Sequence, residues 1–230
     1  MTKRILPAIL AAFFVLAPAF AGDVATFVNL GFSADSSHFM FGQYGADQAS
    51  GKPYAEIYLV DTKKNVFVPQ GSKRSVYEAK VEPGQDTSGA LFALFAESAP
   101  LAKAKKIDHL APGRLLYVLL DGQDPPALLT FRDFKTETSY DISVVKSIAE
   151  NKDGAISSFG LAITATERDG SVKRVTAGNP DLKRKGVRDY VIRRVIAAPD
   201  EKTLVLIIEK LVAEKGDSSV RYMVETVKLP

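Results

Sequence analysis

The sequence predicts a mainly β protein, with antiparallel sheets in a sandwich or an incomplete propeller-like arrangement and one short helical insert at about residues 86–106. Three observations carry this. Apolar residues recur at every second position over most of the chain, clusters of Ser, Asp, Gly and Pro cut it into short runs, and helical spacing occupies one stretch. With 46% hydrophobic and 25% charged residues among 230, the chain has material for a core and is unlike disordered, collagenous or disulfide-stapled sequences. It has no Cys, so packing alone must hold it.

The first segment reads as targeting. Lys3 and Arg4 precede an uncharged run from Ile5 to Gly22, and Ala19-Phe20-Ala21 places small residues where a signal peptidase needs them. Residues 1–21 are therefore expected to be a cleavable signal peptide and 22–230 a single β-rich domain, secreted or periplasmic. The alternative is a retained anchor, which calls for about 20 apolar residues; this run is slightly short and carries Pro7 and Pro18. Cutting after Ala21 removes two of the 30 basic residues and none of the 27 acidic ones, which leaves a formal charge of +1. Such a balance offers no global attraction for nucleic acid. Neither Leu115–Leu120 nor Leu204–Ile208 is long enough to span a bilayer, so the cleaved protein is not expected to be integral to a membrane.

Strand candidates follow in order at Thr26–Phe32, His38–Tyr44, Tyr54–Val60 and Asn65–Val68, rich in Phe, Tyr, Val and Ile. Between the first two, Asp35 is placed to accept hydrogen bonds from amides two residues on and close a turn. The texture changes over about 72–110. Asp86 or Thr87 can cap a helix carrying Ala90, Leu91, Leu94 and Phe95, and Pro100 starts or kinks a further turn that ends in Lys103, Lys105 and Lys106. Strands resume at Arg114–Leu120, apolar on both faces and so expected to be a central, doubly covered strand. Ala127–Phe134 and Ser139–Ile148 come next. Phe159, Leu161, Ile163 and Ala165 then alternate with Ser158, Gly160, Ala162, Thr164 and Thr166. Asp169-Gly170 turns this strand into Ser171–Ala177, with φ > 0 expected at both turn residues. Tyr190–Ala198, Thr203–Leu211 and Val220–Leu229 complete the set.

Leu30–Phe41 and Val195–Leu206 share a plan: an apolar strand, a turn with Asp35 or Asp200, then an alternating strand. A third strand follows each, at Glu56–Asp61 and Arg221–Thr226. The pattern resembles the blades of periplasmic TolB-type β-propellers. A closed propeller takes four or more four-stranded blades; about twelve strands suit a sandwich or a partial blade stack. Over nearly the whole chain, Phe27–Ser33, Phe39–Gly45, Ile107-Asp108-His109, Pro112-Gly113-Arg114, Ser158-Phe159-Gly160 and Gly178-Asn179-Pro180 with Lys183–Val187 resemble a family of bacterial predicted secreted proteins of unknown function. That resemblance implies export and a β-rich body, and carries over no catalytic residue.

The inventory for chemistry is thin. His38 and His109 are far apart and no thiol is present, which falls short of the usual zinc ligand set, and no cofactor is expected. Asp121 and Asp124 offer oxygen ligands without EF-hand spacing. No Gly-x-Ser-x-Gly elbow or phosphate-binding glycine loop occurs. Asp108-His109 is a candidate polar site, with His109 as a general base or, more plainly, a linker residue. Lys183, Arg184, Lys185 and Arg188, followed by Arg193 and Arg194, are a candidate anion-binding surface diluted by Asp181 and Asp189. The expected function is a non-enzymatic binding or scaffolding module for an envelope protein or glycan. One alternative is a carboxylate-dependent hydrolase of polysaccharide, marked by two facing acids in a deep cleft. Another is attachment to anionic envelope components through 183–194. Exposed aromatics such as Tyr44, Tyr54 and Tyr58 on a shallow face would favour binding.

Overall fold

The structure is a computed structural model that describes residues 23–47, 50–82, 84–152, 154–214 and 217–229; the proposed leader, 1–21, lies outside the described residues. The alternating runs form β1 (Thr26–Ser33), β2 (His38–Asp47), β3 (Lys52–Asp61) and β4 (Val66–Val76), then helix α1 (Ser88–Ala104). After it come β5 (Ile107–Asp108), β6 (Arg114–Val118), β7 (Leu129–Asp133), β8 (Thr138–Asn151), β9 (Gly154–Thr166) and β10 (Val172–Lys185). The chain ends with β11 (Val187–Ala197), β12 (Thr203–Glu214) and β13 (Asp217–Lys228).

These strands build three antiparallel sheets: a first sheet in the order β4-β3-β2-β1-β5, an outer sheet β10-β9-β8-β7, and a middle sheet β13-β12-β11-β6. The middle position follows from β12. Leu204, Leu206 and Ile208 pack with Phe159, Leu161 and Ile163 of the outer sheet. Val205 and Ile207, on the opposite face, pack with Phe32, Phe39 and Phe41 of the first sheet. All five β12 residues are at most 2% exposed, so over Leu204–Ile208 this strand is apolar and covered on both faces. Helix α1 covers the far side of the first sheet, where Leu91, Leu94 and Ala102 meet Met40, Ile57 and Leu59. The stack of antiparallel sheets agrees with the sandwich or incomplete propeller-like class.

The expectation of a central Arg114–Leu120 strand is corrected. β6 is the edge of the middle sheet and pairs with β11 alone. Its register slips between Val195 and Ile196, so Leu116 and Tyr117 pack inward while Leu115, Val118 and Leu120 stay 40–57% exposed. The helix is also simpler than expected, running unbroken through Pro100. Proline removes one amide donor from the ladder, and Ser98 hydroxyl donates to Leu94 O at 2.8 Å nearby. At its start, Asp86 accepts from the Ser88 amide at 2.9 Å, while Thr87 makes no side-chain cap. The Asp169-Gly170 hairpin is present, but φ is positive at Gly170 only, the geometry of a longer loop closed by Glu167 N–H to Ser171 O.

Each sheet contains a hairpin turned by one aspartate. Asp35 Oδ1 accepts from Ser33 and Ser37 hydroxyls and the Ser37 amide. Asp133 accepts from the Lys135 amide and Thr136 hydroxyl, and Asp200 from the Lys202 and Thr203 amides. A residue shortly after each aspartate has positive φ: Ser36, Glu137 and Glu201. Two of the turns meet directly, with the Asp200 amide donating to Ser36 Oγ at 3.1 Å, so the internal repeat seen in the sequence is a contact in space.

Candidate functional site

Residues 23–25 leave the first sheet and lie along β13 of the middle sheet. Val24 bridges Val220 in parallel, Ala25 N–H donates to Val220 O at 3.1 Å, and Val220 N–H to Asp23 O at 2.8 Å. Asp23 is anchored by a buried ion pair with Arg221 at 2.8 Å, and the Arg221 guanidinium lies 4.9 Å from the Tyr54 ring centre. A desolvated pair of this kind holds only when both partners are present, which makes this arm a fixed wall.

Facing it, Val118, Leu119 and Leu120 run off the end of β6. Between them opens a cleft of about 500 Å³, floored by Phe27, Arg193, Ile207, Glu209 and Tyr222. Alternation along β12 explains the floor: Val205, Ile207 and Glu209 share the face that looks toward the first sheet, and Tyr222 is the cross-strand neighbour of Glu209. Gln43 Oε1 accepts from the Tyr222 amide at 2.7 Å and fixes that strand against β2.

Charge in the cleft is organised around Arg193. Its Nε meets Glu209 Oε2 at 2.9 Å, and its Nη2 reaches Asp121. Burial pushes the Glu209 carboxyl above the usual range, against the pull of Arg193. Arg194 lies at the rim with its guanidinium 5.6 Å from the Phe27 ring centre. The mouth is apolar, with Val24 64%, Val118 40% and Leu120 57% exposed. An exposed apolar rim around fixed charges suits a contact surface.

The sites expected from sequence are placed elsewhere. Asp108 pairs with Phe32 in β5 and accepts from the Leu110 amide at 2.9 Å. His109 Nδ1 is 2.6 Å from Leu30 O, with its ring against Phe95. This pair clips β1 to the helix. Gly31 is required there: its φ is +101°, and a Cβ would stand 2.2 Å from Asp108 O. The basic run is split by strand alternation. Lys183 donates to Ser158 Oγ at 3.0 Å, Arg184 lies over the Phe159 and Tyr190 rings, and Arg188 pairs with Glu150 at 3.1 Å. Lys185, beside them, is exposed at the end of β10. Tyr54 is fully buried and Tyr58 is stacked between Phe41 and Phe67, so neither presents a shallow aromatic face; Tyr44 is half-buried. Among the described residues no group of three or more His, Asp or Glu could hold a metal ion.

Sequence reasoning singled out Asp121 and Arg193 separately, as a loop acid and part of a basic run, and missed Glu209 and Tyr222. The available signal was Glu209 continuing the inward positions of Val205 and Ile207. No helix among the described residues is long and apolar enough to cross a membrane. Residues 40–228 match the family described as "Predicted secreted protein (DUF2259)". No curated protein matches the chain.

Proposed function

The chain belongs to this family of predicted secreted proteins, and on that footing we propose that it is an exported, non-enzymatic binding or scaffolding module of the bacterial envelope. Its contact surface is the cleft between the 23–25 arm and the end of β6. The observation that carries this reading is the apolar mouth of Val24, Val118 and Leu120 set against charges already locked to one another. Export supports it too: a signal peptide ending at Ala21 makes Asp23, the start of the arm, the second residue of the cleaved chain.

Crosslinking and mass spectrometry on the native envelope test it. Val118→Asp with Leu120→Asp is expected to reduce partner crosslinks roughly tenfold or more, with thermal stability changed only slightly, as for exposed sites. Crosslinks that persist undiminished in a folded double variant would overturn it.

One observation favours a second reading, a carboxylate-dependent hydrolase of polysaccharide. Asp121 and Glu209 converge in one cleft, and burial raises the Glu209 carboxyl above its usual range, as an acid catalyst requires. Arg193 stands between them and neutralises both, which is why binding is preferred. Glycan turnover by the purified protein that Glu209→Gln abolishes would reverse the preference.

A further inference from the structure

A second cluster lies on the opposite face of the middle sheet, beside the edge where β10 meets β13. Lys210 is half-buried there, and among the described residues it has no hydrogen-bond or ion-pair partner. Strand register fixes its neighbours: Tyr190 of β11 on one side and Arg221 of β13 on the other. Directly opposed residues have side chains about 5 Å apart at Cβ.

The outer sheet adds Arg184. Its guanidinium sits 5.2 Å from the Phe159 ring centre and 5.9 Å from that of Tyr190, and among the described residues it donates to Leu182 O alone, at 3.4 Å. Tyr190 OH and Ser157 Oγ, 2.8 Å apart, tie the two sheets beneath it, and Ser157 is the cross-strand neighbour of Arg184. Tyr190 thus has one cation over its ring and another beside it in the sheet.

Among the described residues, the acids near them are already engaged by other partners. Arg221 is held by Asp23. Glu56, whose charge bears on Lys210, already accepts from Gln43 and Tyr58 at 2.6 Å each and pairs with Arg74 at 3.3 Å. Glu225, near Arg184, accepts from Asn65 and the Gly178 amide. Burial holds the Lys210 ammonium below its ordinary pKa, and Arg184 and Arg221 add to that against Glu56. A stacked guanidinium with free donor edges beside an under-solvated ammonium is an arrangement that an oxyanion completes.

We propose that Arg184 and Lys210 bind a phosphate-type oxyanion at the edge where the outer and middle sheets meet beside β13. This site is independent of the cleft and deepens the expectation of anionic attachment, replacing the linear run 183–194 by one of its residues and a lysine from β12.

Purified exported protein is heated in chloride and in inorganic phosphate at equal ionic strength. Phosphate is expected to raise the wild-type Tm by about 3 °C or more, and Lys210→Met and Arg184→Gln to abolish the rise. Lys210→Met also raises Tm in chloride, because it removes a poorly solvated charge, an effect that a purely structural lysine would not give. Lys185→Gln, an exposed neighbouring change, keeps the response. Sedimentation with phosphatidylglycerol or phosphatidylcholine vesicles separates the sources: a headgroup site takes wild type, but not the two variants, down with the anionic vesicles alone. A free-phosphate site leaves all of them in solution while the Tm response stands. The proposal fails if wild type responds to neither phosphate nor anionic vesicles, or if Lys210→Met and Arg184→Gln respond as wild type does.

Discussion

Phe41→Ala is expected to lower the unfolding free energy by about 3–5 kcal/mol, and Tm by about 6–20 °C for a chain of this size. Phe41 is completely buried on β2. Its ring stacks on Phe27 at 5.6 Å and on Tyr58 at 5.0 Å, with Phe39 at 6.1 Å. Facing it across the layer are Val205 and Ile207 of β12, so both the first and the middle sheet border the void left by the ring. Phe92→Ala makes the contrast. Phe92 is 67% exposed on the helix, and its loss should stay within about 0.5 kcal/mol. Urea unfolding of the two variants reads the difference, and equal midpoints would refute the stacking of the first sheet on the middle one.

Asp133→Ala is expected to cost about 3 kcal/mol or more at neutral pH, because it strips a half-buried guanidinium of its main partner. Arg114 donates to both Asp133 oxygens, at 2.5 and 2.8 Å, and also to Glu201, which Lys135 reaches at 2.8 Å. These residues come from β6, the end of β7 with the turn after it, and the β11–β12 turn, so the network pins the outer sheet to the middle one. Burial opposes ionisation of Asp133, but hydrogen bonds from Arg114, the Lys135 amide and Thr136 overcome it and hold the pKa down to about 2, from an ordinary 3.8. A depressed folded pKa gives stability that is fully present above the unfolded value and is lost as pH falls. The contribution is about 2 kcal/mol and should fade between roughly pH 4 and pH 2. Denaturation of wild type and Asp133→Asn across that window measures it. The gap between them should close toward pH 2, and a gap independent of pH would show that the carboxylate charge is not what binds the layers.

Much of this architecture is legible in the sequence, wherever one residue's environment is set by its neighbours in the chain. Phe159, Leu161, Ile163 and Ala165 are buried while Gly160, Ala162, Thr164 and Thr166 are half-buried or exposed, the anticipated period of a pleated strand with one wet face; Ser158 departs from it, buried where Lys183 donates to its hydroxyl. The Asp35 turn is local for the same reason. Legibility ended where partners are distant. Leu115–Leu120 and Leu204–Ile208 are both apolar runs, and only assembly decides that the second is covered twice while the first lies at an edge. The cleft draws on the 23–27 arm, the end of β6, β11, β12 and β13, a combination with no linear spacing to detect. Arg184 looked like one member of a basic run, yet alternation sends it inward, away from Lys183 and Lys185.

The order of the sheets along the chain sets a timetable for the nascent polypeptide. The aromatic face of β1–β4 is complete by residue 76, but the strands that roof it start only at residue 187. Synthesised or threaded from its amino end, the chain carries that greasy surface without its roof until the last fifth has emerged. We expect it to travel unfolded and to fold at its destination, and chains truncated before residue 187 to aggregate instead of persisting as a smaller domain.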